Sequence, residues 1–317
     1  MQLEDIENIS VIGAGTMGHG IGLSFALSGY RVTMHDKDEY TLRKAVSRLQ
    51  NDLETFSECG LVSRDRIIDT IANIATIISL EEASRCANFV IEAVSENVNV
   101  KKSIFNDLDE YCPEHTILAS NTSSLMLRDF TAHCRRPDKI LSCHWMNSPH
   151  ILPAVEIAPT PSTSDATMDT IYTLLKRIGK WPVRLKKEIP GLLHARVQMG
   201  PIRKIWSVWQ LGIANPEDID LVIKGGFGLR LAIMGPLQMC DMGGLDIWLA
   251  TAEQLFKEIS NATEPPKKLK GLVKDGNLGV KTGQGFFNYY NEASDNKMKV
   301  KERDLMLINI LKMEGAL

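Results

Sequence analysis

The sequence contains no run of about 18 apolar residues, the length that a membrane-spanning helix requires. Its first residues, MQLEDIENISVIG, do not place a basic segment ahead of a long apolar one, as a secretory signal peptide does. A net positive charge is also lacking. The net charge is −3 and the pI is near 6.2, so the protein has no overall basic field that would attract nucleic acid or an anionic membrane. We therefore expect a cytoplasmic protein that binds neither nucleic acids nor membranes.

The cysteines lack the spacing of a disulfide framework or of a metal site. They include no CxxC pair, and free cysteines are ordinary small apolar residues in a reducing compartment. We interpret all of them as packing residues, including the one that precedes His144, and we predict no metal site. The six are Cys59, Cys86, Cys112, Cys134, Cys143 and Cys240.

A chain of 317 residues is long enough for two domains. In its first part, short apolar runs rich in β-branched residues alternate with stretches of helical periodicity, the pattern of a doubly wound parallel sheet. We predict an α/β, Rossmann-type domain over residues 1–187. The predicted strands are Ile9–Ile12, Arg31–His35, Phe89–Val94, Thr116–Ser120, Ile140–His144, Val155–Ile157 and Pro182–Lys186, and helices are predicted at Gly18–Ser28, Thr41–Leu61 and Ser63–Ile71.

The pattern changes near residue 188. A charged link and the turn pair Pro190-Gly191 precede segments of helical periodicity that carry no further strand signal. We predict an all-helical second domain over residues 188–317. Near its end, Leu305, Ile308 and Leu311 have the spacing of a terminal helix. The other predicted helices are Leu192–Leu211, Asn215–Val222 and Gly235–Leu255.

A glycine-rich segment follows the first predicted strand. Residues 13–18, Gly-Ala-Gly-Thr-Met-Gly, fit G-x-G-x-x-G, open a helix, and precede a second strand that ends at Asp36. Glycines at these positions allow a tight turn, close approach of a pyrophosphate and close helix–strand packing, while the helix N-terminus attracts the phosphates. Asp36 can accept hydrogen bonds from the adenine ribose hydroxyls, and its charge repels a 2′-phosphate. The sequence therefore predicts NAD and not NADP as the cofactor. The predicted loop contacts are Gly13, Gly15, Thr16, Met17 and Gly18.

Polar residues follow two later strands, at the sheet edge where parallel strands face a ligand. The run Glu92-Ala93-Val94-Ser95-Glu96-Asn97, with Lys101, follows the strand that begins at Phe89, and Ser120-Asn121-Thr122-Ser123-Ser124 follows the next. Side chains of these types either point into the ligand crevice or cap the helix that comes next. Both roles stay open for different members of the two runs.

A histidine and a glutamate form the third element. His144 ends a predicted strand, and Glu156 lies in the short apolar run Ala154–Ile157. A carboxylate in apolar surroundings needs a partner, and an imidazole paired with it keeps one tautomer and leaves its second nitrogen free as a base. We therefore predict a His144–Glu156 pair that takes the hydroxyl proton when an alcohol is oxidised.

Together these motifs resemble the 3-hydroxyacyl-CoA dehydrogenase family, from the loop at Gly13 to about residue 290. The resemblance implies that His144 is the catalytic base, that Glu156 is its partner, and that Ser123 and Asn147 contact the substrate. It also implies that the helical domain forms a homodimer and that more residues line the cofactor site. These further residues are Ala93, Glu96, Lys101 and Asn121.

The sequence departs from the family pattern after Pro190-Gly191. The family places a substrate-binding asparagine before an arginine, whereas Ala195 precedes Arg196 here. The loss of one neutral hydrogen bond costs about 0.5–1.5 kcal/mol, which slows the reaction without abolishing it. His194 either supplies a donor in place of the amide or fills space, and Gly200-Pro201 interrupts what is a smooth helix in the family.

We predict NAD-dependent oxidation of a (3S)-3-hydroxyacyl-CoA to the 3-oxoacyl-CoA, or the reverse. Lys44, Arg48 and Arg64 form either a site for the phosphates of CoA or a solvated helix face. The altered segment after residue 191 favours an alternative with the same chemistry on a hydroxy acid, polyol, or ring-bound alcohol or aldehyde that lacks CoA. A third interpretation, a non-catalytic NAD-binding protein like the lens crystallins of this family, conflicts with the presence of His144 and Glu156.

Overall fold

The protein divides into two compact units. The computed structural model describes residues 3–280, 282–289, 295–313 and 315. One unit comprises Met1–Ala195 with Arg303–Leu317, and the other comprises Arg196–Glu302. The sequence placed the boundary at residue 188 and assigned the C-terminal segment to the helical domain. The structure groups that segment with the first unit, because the buried Ile308 packs there against Phe56 and Ile151.

An eight-stranded sheet forms the centre of the first unit. Its strands are β1 (Asn8–Ile12), β2 (Arg31–His35), β3 (Ile74–Ile77), β4 (Phe89–Glu92), β5 (Ile117–Ser120), β6 (Ile140–Trp145), β7 (Ala154–Pro159) and β8 (Trp181–Arg184). Their order is β3-β2-β1-β4-β5-β6-β7-β8, and neighbours are parallel except β6 and β7. Strands β4, β5 and β6 are buried along their whole length, as expected of a sheet with helices on both faces. The predicted α/β class is confirmed.

Two strands differ from the sequence-based prediction. Strand β3 has only four residues, two of them exposed, and it lies at the edge of the sheet, so it was missed. Strand β7 follows β6 after residues 146–153, a connection too short for the helical crossover that a parallel pair requires, so the two strands are antiparallel. In addition, β4 ends at Glu92 and not at Val94.

Helices pack on this sheet through apolar faces. Helix α1 is apolar and almost wholly buried. Helix α2 begins after Asp38, whose side chain accepts hydrogen bonds from the backbone of Tyr40 and Thr41. Its buried residues lie along one face and are Leu42, Ala45, Leu49, Leu53 and Phe56. The helices are α1 (Gly18–Leu27), α2 (Glu39–Glu58), α3 (Arg64–Ala72), α4 (Leu80–Ser84), α5 (Val98–Tyr111), α6 (Arg128–Thr131), α7 (Asp165–Arg177) and, from the C-terminal segment, α14 (Asp295–Met313).

The remaining helices follow β8 in sequence. They are α8 (His194–Leu211), α9 (Pro216–Val222), α10 (Leu229–Ile233), α11 (Pro236–Gly243), α12 (Leu245–Leu255) and α13 (Lys267–Lys274). Helix α8 continues through Pro201, in agreement with the predicted helix Leu192–Leu211, so Gly200-Pro201 does not end it: a proline removes one helical hydrogen bond without always ending the helix. Gly244, with a φ of 88°, separates α11 from α12, which were predicted as one helix. Among the described residues, no helix combines the length and apolar composition that crossing a membrane requires.

All six cysteines are free thiols in the structure. Cys112 and Cys143 are buried, and burial raises the pKa of each to about 12. Both thiols are therefore protonated at pH 7, which suits packing residues and not nucleophiles.

Candidate active site

The glycine-rich loop connects β1 to α1 at the C-terminal edge of the sheet. Gly13 has a φ of 99°, and a Cβ there would meet the backbone of Ala93 at 2.7 Å. A Cβ on Gly18 would lie 1.8 Å from the carbonyl oxygen of Gly13. Both positions therefore require glycine for the loop to fold. Helix α1 begins directly after this turn, and the free N–H groups at its N-terminus attract an anion.

Gly15 differs from the other two glycines. A Cβ on Gly15 would meet no protein atom within 4 Å, so packing within the protein does not demand glycine there. An open position of this kind, between two constrained ones, fits the close approach of a pyrophosphate to the backbone. Thr16 is exposed and Met17 is half-buried beside it, at the start of α1.

Asp36 lies at the end of β2, beside the loop. One carboxylate oxygen accepts the N–H of Ala14 at 3.1 Å and the other accepts the N–H of Asp38 at 3.2 Å. The carboxylate is half-buried and held by the backbone on both sides. This placement fits recognition of an adenine ribose, and the negative charge disfavours a 2′-phosphate.

A buried acidic cluster lies where β4 and β5 end. Glu92 is fully buried, and it accepts hydrogen bonds from the Lys101 ammonium at 2.7 Å, the Ser120 hydroxyl at 2.5 Å and the Val94 N–H at 2.7 Å. Burial raises the pKa of Glu92, and the charge of Lys101 opposes that rise. This role of Glu92 is not visible in the sequence, because the pairing depends on α5 turning Lys101 inward.

Glu96 organises the loop after β5. One of its oxygens accepts the Thr122 hydroxyl at 2.7 Å and the backbone N–H groups of Ser123 and Ser124 at 3.1 and 3.0 Å. Burial acts to raise the pKa of Glu96, but these hydrogen bonds and the charge of Lys101 lower it to about 2. Glu96 is thus ionised and shapes the segment that carries Ser123.

Lys101 was predicted to line the cofactor site directly. Its side chain is only 1% exposed, and its ammonium pairs with Glu92 at 2.7 Å and Glu96 at 3.4 Å. Lys101 thus supports Glu96 from the protein interior, and its contact with the cofactor stays a prediction. Ala93 is half-buried next to Gly13, with its N–H bonded to the carbonyl of Ile12 at 2.7 Å.

His144 and Glu156 lie directly opposite each other in the antiparallel pair of β6 and β7. The His144 Nδ1 is 2.8 Å from a carboxylate oxygen of Glu156, and both side chains are buried. Because a carboxylate only accepts, the proton of the neutral imidazole is on Nδ1 and the lone pair is on Nε2. The predicted contact is thus present, with the second nitrogen free.

The second oxygen of Glu156 is held by the backbone. It accepts the N–H of Leu193 at 3.0 Å and the N–H of His194 at 2.6 Å. The turn that supplies these groups includes Gly191 with a φ of 78° and the buried Leu192 with a φ of 45°. These two hydrogen bonds were not predicted from the sequence, although the pair Pro190-Gly191 indicates a tight turn.

The other predicted substrate and cofactor residues lie near the ends of β5 and β6. Asn121 accepts the N–H of Trp145 at 2.8 Å, which joins the two strand ends. Ser123 and Asn147 are exposed. The ring of His194 is 6.2 Å from that of His144, and partial burial lowers its pKa, with the charge of Glu156 opposing. His194 is therefore a neutral polar side chain beside the pair of His144 and Glu156.

The arrangement combines two functions at one edge of the sheet. The loop and Asp36 fit a dinucleotide, and the strands that carry the acidic cluster and His144 run parallel to β1, so their C-terminal ends share this edge. A buried imidazole with one fixed and one free nitrogen can accept a proton. Fold and site define the protein as an NAD-dependent dehydrogenase.

Comparison with known proteins gives the family. Residues 8–189 match the 3-hydroxyacyl-CoA dehydrogenase, NAD binding domain, and residues 191–289 match the C-terminal domain of the same enzymes. The chain therefore belongs to the 3-hydroxyacyl-CoA dehydrogenase family. A probable 3-hydroxybutyryl-CoA dehydrogenase of Bacillus subtilis is 36% identical over 292 residues, which cover 92% of this chain and 100% of that protein.

A second relative has a different substrate in its name. The 5-formyl-3-hydroxy-2-methylpyridine 4-carboxylate 5-dehydrogenase of Mesorhizobium japonicum is 30% identical over 310 residues, 98% of this chain and 99% of that protein. A crystal structure of the enzyme of this name, described as an NAD⁺-dependent dismutase, superposes with a TM-score of 0.90 at 30% identity. That superposition covers 97% of this chain and 98% of the other.

Proposed function

We propose that the protein oxidises the 3-hydroxyl group of a (3S)-3-hydroxyacyl thioester of CoA, or reduces the 3-oxo group in reverse. The observation that carries the proposal is the 2.8 Å contact between His144 Nδ1 and Glu156 at the sheet edge that holds the dinucleotide loop. Bound NAD supplies the acceptor for the hydride from the alcohol carbon.

The residues of the chain supply the proton transfer. His144 Nε2 takes the hydroxyl proton in the oxidative direction and returns it in the reductive one. Glu156 stabilises the imidazolium that forms, and its second oxygen is already bonded to two N–H groups, so the carboxylate does not need to reorient. Ser123, held in place through its backbone bond to Glu96, offers a hydroxyl to the reacting oxygen.

Support for CoA as the carrier comes from the family and from charge. Both domains match this family, and a relative named for 3-hydroxybutyryl-CoA is 36% identical to the chain. Lys44 and Arg64 are exposed on α2 and α3, and Arg48 is half-buried on α2. These cations are available to the phosphates of CoA.

A second candidate keeps the chemistry but removes CoA. Two observations favour it: Ala195 replaces the family amide, and the neutral ring of His194 lies 6.2 Å from that of His144. An added imidazole suits a compact polar substrate. The whole-length likeness to a pyridine carboxylate dehydrogenase, with a TM-score of 0.90, supports the same choice.

A substrate panel separates the two candidates. NADH oxidation is followed with acetoacetyl-CoA and with free acetoacetate, and NAD reduction with free hydroxy acids and with pyridine-bound alcohols and aldehydes. Faster turnover of the CoA ester supports the first candidate, and turnover of the free compounds alone supports the second. A His144→Ala variant is the control for each active substrate. Wild-type turnover by this variant would contradict the assignment of the base.

We also propose a homodimer formed through the helical unit. Apolar side chains on α9, α11 and α12 are largely exposed, among them Leu221 at 68%, Leu237 at 81% and Ile247 at 62%. Apolar surface of this extent is typical of a protein interface. Light scattering with size-exclusion chromatography tests the proposal: a monomer at micromolar concentration would contradict it.

A further inference from the structure

Two histidines and an aspartate meet in the first unit, outside the proposed catalytic pair. His19 is on α1, Asp52 is on α2, and His150 follows β6. One ligand atom from each of the three lies within 4.8 Å of the others. The side chains are 9%, 20% and 7% exposed, respectively. The sequence predicted no metal site, because these residues have no recognisable spacing along the chain.

The distances in this cluster are poorly explained by hydrogen bonds. His19 Nε2 is 3.4 Å from Asp52 Oδ2, and His150 Nε2 is 3.6 Å from Asp52 Oδ1. Hydrogen bonds of this type are about 2.7–3.2 Å long. Asp52 Oδ2 and His150 Nδ1 are in fact buried without a hydrogen-bond partner. A buried polar atom without a partner costs about 1–3 kcal/mol, so something else must satisfy the carboxylate.

The same distances fit atoms that share a metal ion. Zinc binds imidazole nitrogen at about 2.0–2.1 Å and carboxylate oxygen at about 2.0–2.2 Å. Two ligands at those distances in a tetrahedral site are about 3.3–3.5 Å apart. The two His–Asp distances, 3.4 and 3.6 Å, are close to that separation. The carboxylate also faces one imidazole with each of its oxygens.

His19 has the orientation of a metal ligand. Its Nδ1 lies 2.9 Å from the carbonyl oxygen of Gly15, a contact in which only a protonated Nδ1 forms a hydrogen bond. The lone pair of the neutral ring is therefore on Nε2, the atom that faces Asp52. Metal-bound histidines usually donate their other N–H to a carbonyl or carboxylate in this way.

Two basic side chains, Arg303 and Lys180, lie near the cluster. Arg303 lies beside Ser148 and pairs with Asp304 at 2.6 Å, so its charge is compensated. Lys180 donates to the carbonyls of Pro149 and Leu152, at 2.7 and 3.2 Å. His150 also lines a cavity of about 670 Å³.

We propose that His19, Asp52 and His150 bind a divalent transition-metal ion, with zinc as the representative. Two imidazoles and a carboxylate form a donor set that binds such ions in preference to calcium or magnesium. The ion would connect the helix of the dinucleotide loop to α2 and to the segment after β6. Its role is structural: it fixes the loop against the strand that carries His144.

Metal content and thermal stability test this site in the intact protein. The wild-type chain is stripped with EDTA, reconstituted with zinc chloride, dialysed, and assayed by elemental mass spectrometry. We expect one zinc per chain and a rise in Tm on reconstitution, because a ligand that binds only the native state stabilises it. Cobalt(II) in place of zinc should give the visible absorption of a four-coordinate site without thiolate charge-transfer bands.

Three variants identify the ligands. Asp52→Asn and His150→Gln should bind zinc at least about tenfold more weakly than the wild type. His133→Gln, which removes an exposed histidine outside the cluster, should bind it normally. Wild-type protein with less than a tenth of an equivalent of zinc would overturn the proposal, and so would thiolate bands or equal binding by all variants. If Asp52→Asn does not fold, the zinc binding of His150→Gln, compared with that of the wild type, tests the proposal.

Discussion

Replacing Glu156 with glutamine tests the proposed chemistry most directly. The amide has nearly the shape of the carboxylate, so the two backbone N–H groups of Leu193 and His194 keep an acceptor. It carries no charge, however, and its NH₂ group can donate to His144 Nδ1. That donation favours the tautomer with the proton on Nε2, which cannot act as a base.

The expected loss follows from the 2.8 Å separation of His144 and Glu156. Two unit charges at that distance interact by about 6 kcal/mol at an effective dielectric constant of 20. Part of this energy is recovered by the dipole of the amide. Since each 1.36 kcal/mol is a factor of ten in rate, we expect kcat of Glu156→Gln to fall by about 10³–10⁴. The KM for NADH should change little, because the glycine loop is untouched.

The assay is steady-state NADH oxidation with the best substrate of the panel. Glu188→Gln is the matched control: Glu188 is a half-buried glutamate that accepts the N–H of Leu127 at 2.8 Å and the hydroxyl of Ser142 at 3.2 Å. Burial raises the pKa of Glu188. A glutamine there keeps a carbonyl acceptor for both donors, and near-normal activity is expected. A kcat for folded Glu156→Gln within tenfold of wild type would refute the role of the pair.

Three further predictions concern the loop, acid stability and a buried ion pair. Gly15→Ala should keep the wild-type Tm, since its Cβ meets no protein atom, but weaken NAD binding by at least about tenfold in calorimetry. Glu96, whose pKa is lowered from 4.5 to about 2, stabilises the fold above pH 4.5 and loses that effect as pH falls towards 2. Urea unfolding in that range should therefore depend less on pH in Glu96→Gln than in wild type. Asp109→Ala leaves the buried Arg136, now 2.8 Å from Asp109, without its counter-charge, and should destabilise the protein by about 3–5 kcal/mol in denaturant.

Much of the first unit could be predicted because its signals are local. Buried parallel strands show as short apolar runs, and the glycine pattern and Asp36 depend on neighbouring residues. The edge strand β3 was missed because it has only four residues and is half-exposed. The antiparallel direction of β7 was predictable in principle, since only eight residues, 146–153, connect it to β6.

The candidate site was predictable only in part, because much of it depends on contacts across the fold. The pairing of His144 with Glu156 followed from the cost of a carboxylate in an apolar strand. The inward turn of Lys101 and the backbone groups that hold Glu156 depend on where α5 and the Pro190 turn are placed, which no short pattern encodes. The docking of α14 on the first unit likewise depends on a distant partner surface around Phe56 and Ile151.

His144 and Glu156 lie directly opposite each other on β6 and β7, so their contact depends on the number of residues that connect the two strands. Successive side chains of a strand point to opposite faces, so a slip by one residue would turn one partner to the far side of the sheet. A single deletion between residues 146 and 153 should thus inactivate the enzyme, because it would shift this register. Natural variants of this protein should accordingly keep the length of this connection constant.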